Sequence, residues 1–161
     1  MTKRTKDTYF LVSLGCAKNL VDSESIAQLL NRQNYHPVSD PQNAEYLIVN
    51  TCGFLFSARE EAIAILTDLA SEKMPWQKLI AAGCMPETHR QDLIKAVPGL
   101  DGLIGTRRWM DIMQVVNATR EENHILPYTH FPQASTVGGD EKGTHRVAIQ
   151  GGSAYLKIAD G

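Results

Sequence analysis

The sequence predicts an α/β fold built on a doubly wound parallel sheet of five strands. Short apolar runs typical of buried strands alternate along the chain with longer segments whose apolar residues recur at helical spacing. Most strands that follow one another are therefore joined through a helix, and such connections produce a parallel sheet covered on both faces. The strand order 2-1-3-4-5 of the flavodoxin-like folds satisfies this pattern.

The individual elements follow from these runs. Five apolar runs predict the strands, at residues 9–14, 35–38, 46–50, 78–82 and 100–104. Helices are predicted at residues 22–32, at 57–72, from Pro86 to about residue 97, and at 109–116. Ser57 and Glu60 have the spacing of a capping box at the start of the second helix. Together these elements predict one domain over residues 8–118.

The character of the sequence changes after residue 118. Residues 119–144 are mostly polar and contain two prolines and three glycines, so we expect a linker there. Residues 146–149 and 154–158 predict two further strands with no helical partner. We therefore expect residues 145–161 to be the truncated start of a second domain, and residues 1–7 to be a flexible N-terminal arm.

Composition and charge narrow the classes of function. The 161 residues are 43% hydrophobic and 21% charged, which favours a packed core over global disorder. A net charge of −2 argues against a stand-alone nucleic-acid binder. The apolar run at residues 9–14 is too short for a secretory signal, and no run approaches the about 20 residues of a membrane span. We expect a cytoplasmic protein without a membrane partner.

The three cysteines each follow a predicted buried strand directly. Cys16, Cys52 and Cys84 succeed one another at intervals of 36 (52 − 16) and 32 (84 − 52) residues, which matches the length of a βαβ unit. In a parallel sheet the carboxyl ends of the strands share one edge, where this fold class binds its ligands. In the predicted strand order the three strands are neighbours, about 4.8 Å apart. The three thiols are therefore expected to converge.

This pattern allows several kinds of chemistry. A glycine precedes or follows each cysteine, at Gly15, Gly53 and Gly83, and would let the backbone approach a bulky inorganic group. Thiolates are the usual ligands of iron–sulfur clusters, and three of them leave one iron of a four-iron cluster open. The alternatives are three inert core cysteines, a structural zinc site or thiol redox chemistry. No C-x-x-C or Cys/His pairing supports zinc, and no nucleophile–base pair supports redox chemistry.

Three polar residues adjoin the predicted cysteine loops. Asn19 lies three residues after Cys16, while Asn50 and Thr51 directly precede Cys52. They could donate hydrogen bonds to cluster sulfurs and tune the potential of the cluster. The alternative is structural: Asn19 begins a helix, and Asn50 and Thr51 shape the turn after a strand.

Three motifs carry a resemblance to a known family. They are SLGCAKNLVDSE at residues 13–24, VNTCGFLFSAREEAI at 49–63 and AAGCMPE at 81–87. In this order and spacing they closely resemble the N-terminal domain of the radical S-adenosylmethionine methylthiotransferases. The segment SAYLKIADG at 153–161 resembles the first strand of that family's radical barrel. The resemblance covers essentially the whole chain and is weakest across residues 119–144.

The resemblance implies an auxiliary 4Fe–4S cluster on Cys16, Cys52 and Cys84 that carries the transferred sulfur. It also implies a longer enzyme, in which a second 4Fe–4S cluster and S-adenosylmethionine generate the radical. The present chain would then be catalytically incomplete by itself. Its partners would be the enzyme's own radical and C-terminal domains and its substrate.

The form of the motifs indicates the type of substrate. CAKNLVDSE and NTCGFLFSAREE are most similar to the type that adds a methylthio group to the β-carbon of an aspartate in a small-subunit ribosomal protein. The type that modifies an adenosine of tRNA usually has a YGCQMN-like first motif, which this sequence lacks. That type remains the alternative enzyme. A non-catalytic module that docks a ribosomal protein is the alternative from another class.

Overall fold

A parallel sheet of six strands forms the centre of the protein in its computed structural model, which describes residues 5–121, 125–133, 142–150 and 153–156. The strands lie in the order β2-β1-β3-β4-β5-β6. Their bounds are Thr8–Ser13 for β1, His36–Pro37 for β2, Tyr46–Thr51 for β3, Lys78–Gly83 for β4, Gly102–Gly105 for β5 and Tyr128–His130 for β6.

Helices cover both faces of this sheet. They are α1 (Ala17–Arg32), α2 (Phe56–Glu72), α3 (Cys84–Thr88), α4 (Arg90–Ala96) and α5 (Ile112–Arg120), with 3₁₀ turns at Pro41–Asn43 and Thr106–Asp111. Strand β3 shows why two cores form, because its alternate side chains point to opposite faces. Tyr46 and Ile48 pack with residues of α1 and α5, while Leu47 and Val49 pack with residues of α2 and α4. The central strand is buried on both sides, as parallel sheets require.

The register of the sheet determines which residues meet at its carboxyl edge. Ser13 of β1 pairs with Asn50 of β3, and Thr51 of β3 pairs with Gly83 of β4. Strands β1, β3 and β4 therefore end at the same level, side by side. The loops that follow these three strands begin next to one another.

The predicted fold class and the order of the first five strands are confirmed. The predicted count of five is wrong, because β6 adds a sixth strand beside β5 within the stretch predicted to be a linker. It has only three residues, none of them fully buried, so it has no apolar run. The predicted capping box is also absent: α2 begins after Leu55, with no side-chain hydrogen bond at its cap.

The helix boundaries show two further differences. Helix α1 begins at Ala17, five residues before the predicted start, and the helix predicted after Pro86 is two short helices that meet at His89. Parts of the predicted regions fall outside the described residues: the first four residues of the N-terminal arm, residues 122–124 and 134–141 of the linker, and residues 151–152 and 157–161 of the second domain.

Strands β7 (Val147–Gln150) and β8 (Ser153–Leu156) form a separate antiparallel pair. This pair packs against α1, so the chain that follows the sheet returns to the first helix.

Over the ranges that the structure describes, no helix combines the length and the apolar character needed to cross a membrane.

The packing of α2 against the sheet yields a stability prediction. Leu66 is fully buried there, so Leu66→Ala removes apolar contacts and leaves a cavity. We expect it to lower the free energy of unfolding by about 2–5 kcal/mol, measured by urea denaturation. The control is Thr67→Ala on the exposed side of the same helix, which should change it by less than about 0.5 kcal/mol. Equal losses in the two variants would contradict the assigned face of α2.

Candidate functional site

Three loops at the carboxyl edge of the sheet bring the cysteines to one place. Cys16 follows β1 and occupies the N-cap position of α1, without a side-chain hydrogen bond there. Cys52 follows the last residue of β3, and Cys84 follows β4 as the first residue of α3. Because these strands are adjacent and in register, the three residues lie at the same edge. This is the edge that the sequence spacing predicts.

The three thiols are free and differ in exposure. Cys16 is exposed, Cys84 is half-buried and Cys52 is buried, with 9% of its surface accessible. Solvent therefore reaches the site at Cys16, whereas the protein covers Cys52.

Two glycines allow the loops to approach one another closely. Gly15 has a φ of +95° and Gly83 a φ of +99°, a region that residues with a side chain rarely adopt. A Cβ on Gly15 would lie 2.5 Å from the Cβ of Cys52, and one on Gly83 would lie 2.3 Å from Oδ1 of Asn50. The Cys16 loop thus rests directly on Cys52 because residue 15 has no side chain.

One buried side chain, that of Asn19, joins all three cysteine loops. Its Nδ2 donates to the carbonyl of Leu14 at 2.8 Å and to that of Thr51 at 2.9 Å. Its Oδ1 lies 3.8 Å from the Cys84 sulfur, which is placed to donate to it. Asn19 is completely buried, so these contacts are shielded from water.

Asn50 and Thr51 complete this network. Nδ2 of Asn50 donates to the carbonyl of Asn19 and to Oγ of Ser23, each at 2.9 Å, and Oγ1 of Thr51 donates to the carbonyl of Ala82 at 2.8 Å. Within the described residues, the side-chain donors of Asn19, Asn50 and Thr51 therefore all have protein partners. This geometry supports a role in holding the loops. Asn19 lies in the first turn of α1, which begins at Ala17, and Asn50 and Thr51 are the last two residues of β3.

The electrostatics of the site centre on Cys84. Burial raises the pKa of its thiol above the usual value, and the Lys18 ammonium opposes that rise. The thiols of Cys52 and Cys16 also raise the pKa, because a nearby negative charge disfavours a second thiolate. At neutral pH Cys84 is thus protonated in the metal-free chain, and a bound cation would favour its thiolate.

Thiolates can hold either an iron–sulfur cluster or a single metal ion. Among the described residues, no three or more His, Cys, Asp or Glu side chains are grouped to hold one metal ion. In a four-iron cluster each cysteine binds a different iron, so the thiolates stand farther apart than around one ion. Three thiols on neighbouring loops, with glycine at each close approach, fit that donor set.

The structure adds two features that the sequence analysis did not include. Lys18, in the first turn of α1, places the positive charge that acts on Cys84. Phe54, Leu55 and Phe56 follow Cys52 and are all exposed, Phe54 to 88%. In the sequence, only their position next to a cysteine in the motif NTCGFLF indicated that these residues belong to the site. An apolar run of this kind predicts burial, and so did not indicate that they are exposed.

Comparisons with known proteins agree with the resemblance seen in the motifs. Residues 8–105 match the family described as uncharacterized protein family UPF0004. This match contains all three cysteines and strands β1 to β5.

Curated relatives carry a more specific description, "Ribosomal protein uS12 methylthiotransferase RimO". The protein of this name from Roseiflexus sp. (strain RS-1) is 40% identical over 169 residues, covering 95% of this chain and 36% of the relative. The one from Chloroflexus aurantiacus is 39% identical, covering 95% of this chain and 36% of the relative. The one from Citrifermentans bemidjiense is 36% identical, covering 100% of this chain and 36% of the relative. The chain spans about a third of the length of these relatives.

The contacts of Asn19 predict a measurable contribution to stability. Asn19→Ala leaves the buried carbonyls of Leu14 and Thr51 without their donor, so we expect unfolding to become about 1–3 kcal/mol easier. Asn117→Ala, on the exposed side of α5, is the matched control and should be nearly neutral. Urea denaturation of the metal-free chain measures both. Coincident curves for the two variants would show that Asn19 does not hold the loops.

Proposed function

The chain belongs to the UPF0004 family, and on that basis we propose that it is the cluster-binding part of a methylthiotransferase acting on ribosomal protein uS12. The observation that carries the proposal is the set of three thiols at the ends of β1, β3 and β4. The names of the relatives supply the reaction and the substrate.

Cys16, Cys52 and Cys84 would hold a 4Fe–4S cluster. Such a cluster supplies one iron without a protein ligand, at which the sulfur to be transferred can bind. The protein's own contribution is to keep three loops at fixed positions. Asn19 does this through hydrogen bonds to two of the loops and its contact with the third, and Gly15 does it by allowing close packing on Cys52.

The charge and exposure of the site suit an incoming reaction partner. When all three cysteines are thiolates, their negative charges repel one another. The Lys18 ammonium would offset part of this repulsion at Cys84. Cys16 faces solvent, so a substrate can approach from that side. Phe54, Leu55 and Phe56, which follow Cys52 in the sequence, add exposed apolar surface.

The motif form CAKNLVDSE and the names of the relatives support a more specific proposal for the substrate. We propose that the complete protein adds a methylthio group to the β-carbon of one aspartate of uS12. The C–H bond at that carbon is unactivated, so a radical must break it. In the complete enzyme, S-adenosylmethionine and a second 4Fe–4S cluster would supply that radical.

Reconstitution with iron and sulfide tests the cluster assignment. Under anaerobic conditions the chain should bind about four irons with the Mössbauer spectrum of a 4Fe–4S cluster. Cys84→Ala should lose most of this iron, because two thiolates hold a cluster poorly, whereas Ser57→Ala at an exposed position should retain it. Full iron retention in Cys84→Ala would exclude Cys84 as a ligand.

Mass spectrometry of the substrate tests the reaction. The complete protein, given S-adenosylmethionine, a reductant and a sulfur donor, should add one methylthio group to a single aspartate of purified uS12. A Cys52→Ala variant of the complete protein should add none, since it lacks one of the three proposed ligands. Modification of a tRNA adenosine with uS12 left unchanged would make the substrate assignment wrong. A complete protein that binds uS12 without modifying it would be a docking module instead.

A further inference from the structure

One face of α1 is bound along its length by a later segment of the chain. Asp22, Ser25, Gln28 and Arg32 are three or four positions apart, so they lie on the same side of the helix. Each of these four side chains hydrogen-bonds with residues 142–146, which precede β7. We call these four residues the α1 stripe.

The two distal residues of the stripe bind only the backbone of the segment. Gln28 exchanges two hydrogen bonds with His145, donating to its carbonyl at 3.0 Å and accepting from its N–H at 2.8 Å. Arg32 donates to the carbonyls of Lys142 at 2.7 Å and Gly143 at 2.8 Å. These bonds are exposed, so they align the segment and add little energy.

The proximal end of the stripe contains a buried ion pair. Arg146 donates to Oδ1 of Asp22 at 2.5 Å and to Oγ of Ser25 at 2.7 Å, and its guanidinium lies 4.3 Å from the centre of the Trp109 ring. The Arg146 side chain is 13% exposed and that of Asp22 is 3% exposed. Release of the segment from α1 would separate the mostly buried Asp22 carboxylate from the Arg146 guanidinium, so the pair favours the docked arrangement.

This ion pair lies one helical turn from the cysteine site. Asn19, which contacts all three cysteine loops, is three residues before Asp22 on α1, a rise of about 4.5 Å along the helix axis. The neighbour of Asp22, Ser23, accepts a hydrogen bond from Asn50. Helix α1 thus carries Cys16 at its start, Asn19 in the site and Asp22 in the ion pair.

We propose that Asp22 and Arg146 are positioning residues, which fix the start of β7 on α1 and thereby set the placement of the following chain relative to the three cysteines. The inference rests on the proposed function only for its consequence in catalysis. Transfer of a group to a substrate depends on relative placement at the level of about 1 Å. An ion pair on α1, whose N-cap residue is Cys16, provides that placement.

Amide hydrogen exchange on this chain tests the docking without any activity. Arg146→Ala should increase exchange at residues 144–148 by at least about tenfold, because the segment is released from α1, and leave β3 unchanged. Arg107→Ala, which removes a guanidinium that is 61% exposed, is the control and should change neither region. Unchanged exchange at residues 144–148 in Arg146→Ala would overturn the proposal.

A second pair of variants covers the case in which Arg146→Ala destabilises the whole chain. Asp22→Asn together with Arg146→Met removes both charges and keeps an apolar side chain on Trp109. This double variant should unfold at a higher urea concentration than Arg146→Ala and still show fast exchange at residues 144–148. Slow, wild-type exchange there would mean that the ion pair does not fix the segment.

The complete protein separates a positioning role from a structural one. With Arg146→Lys, which keeps the charge and loses the two-pronged geometry, we expect bound iron and the KM for uS12 to stay as in wild type and kcat to fall about tenfold. A parallel loss of iron, or an unchanged kcat, would overturn the positioning role. If the wild-type protein does not modify uS12, the proposed function fails, and the exchange experiment still decides whether the pair fixes the segment.

Discussion

The in-register pairing of β1, β3 and β4 is the constraint on which the rest of the structure depends. It ends three strands at one level, and so brings residues separated by more than thirty positions in sequence onto neighbouring loops. The same register distributes the side chains of β3 between two cores. A slip of one residue would turn every side chain of a strand to the other face, so packing of the cores enforces alignment of the site.

Buried hydrogen bonds fix the positions of the cysteine loops. Asn19 is buried and donates to backbone carbonyls of two different loops. Its location on α1 means that the first helix, and not the sheet alone, determines how the loops lie. The ion pair of Asp22 and Arg146 extends this function of α1 to the chain that follows the sheet.

Much of the fold could be predicted from the sequence, because buried strands and amphipathic helices leave periodic apolar patterns. The position of the cysteines at the carboxyl edge followed from the same patterns. Strand β6 could not be predicted, since three half-buried or exposed residues leave no such pattern. The bridging contacts of Asn19 were also beyond prediction, because its partners Leu14, Thr51 and Cys84 come from three loops. Ser57 and Glu60 do not form a capping box because the N-cap residue of α2 is Leu55, two residues before Ser57.

The three thiols differ in exposure, so a reagent from solvent reaches them in a defined order. Cys16 faces solvent, while Cys52 lies beneath the backbone of Gly15. In the proposed cluster site, an iron donor that approaches the folded chain would therefore meet Cys16 first and would reach Cys52 only past the loop that carries Cys16. Exposure is one of the two factors that govern oxidation of a thiol, so an oxidant would also reach Cys16 first. Maturation of this site and its damage by peroxide would thus begin at the same residue.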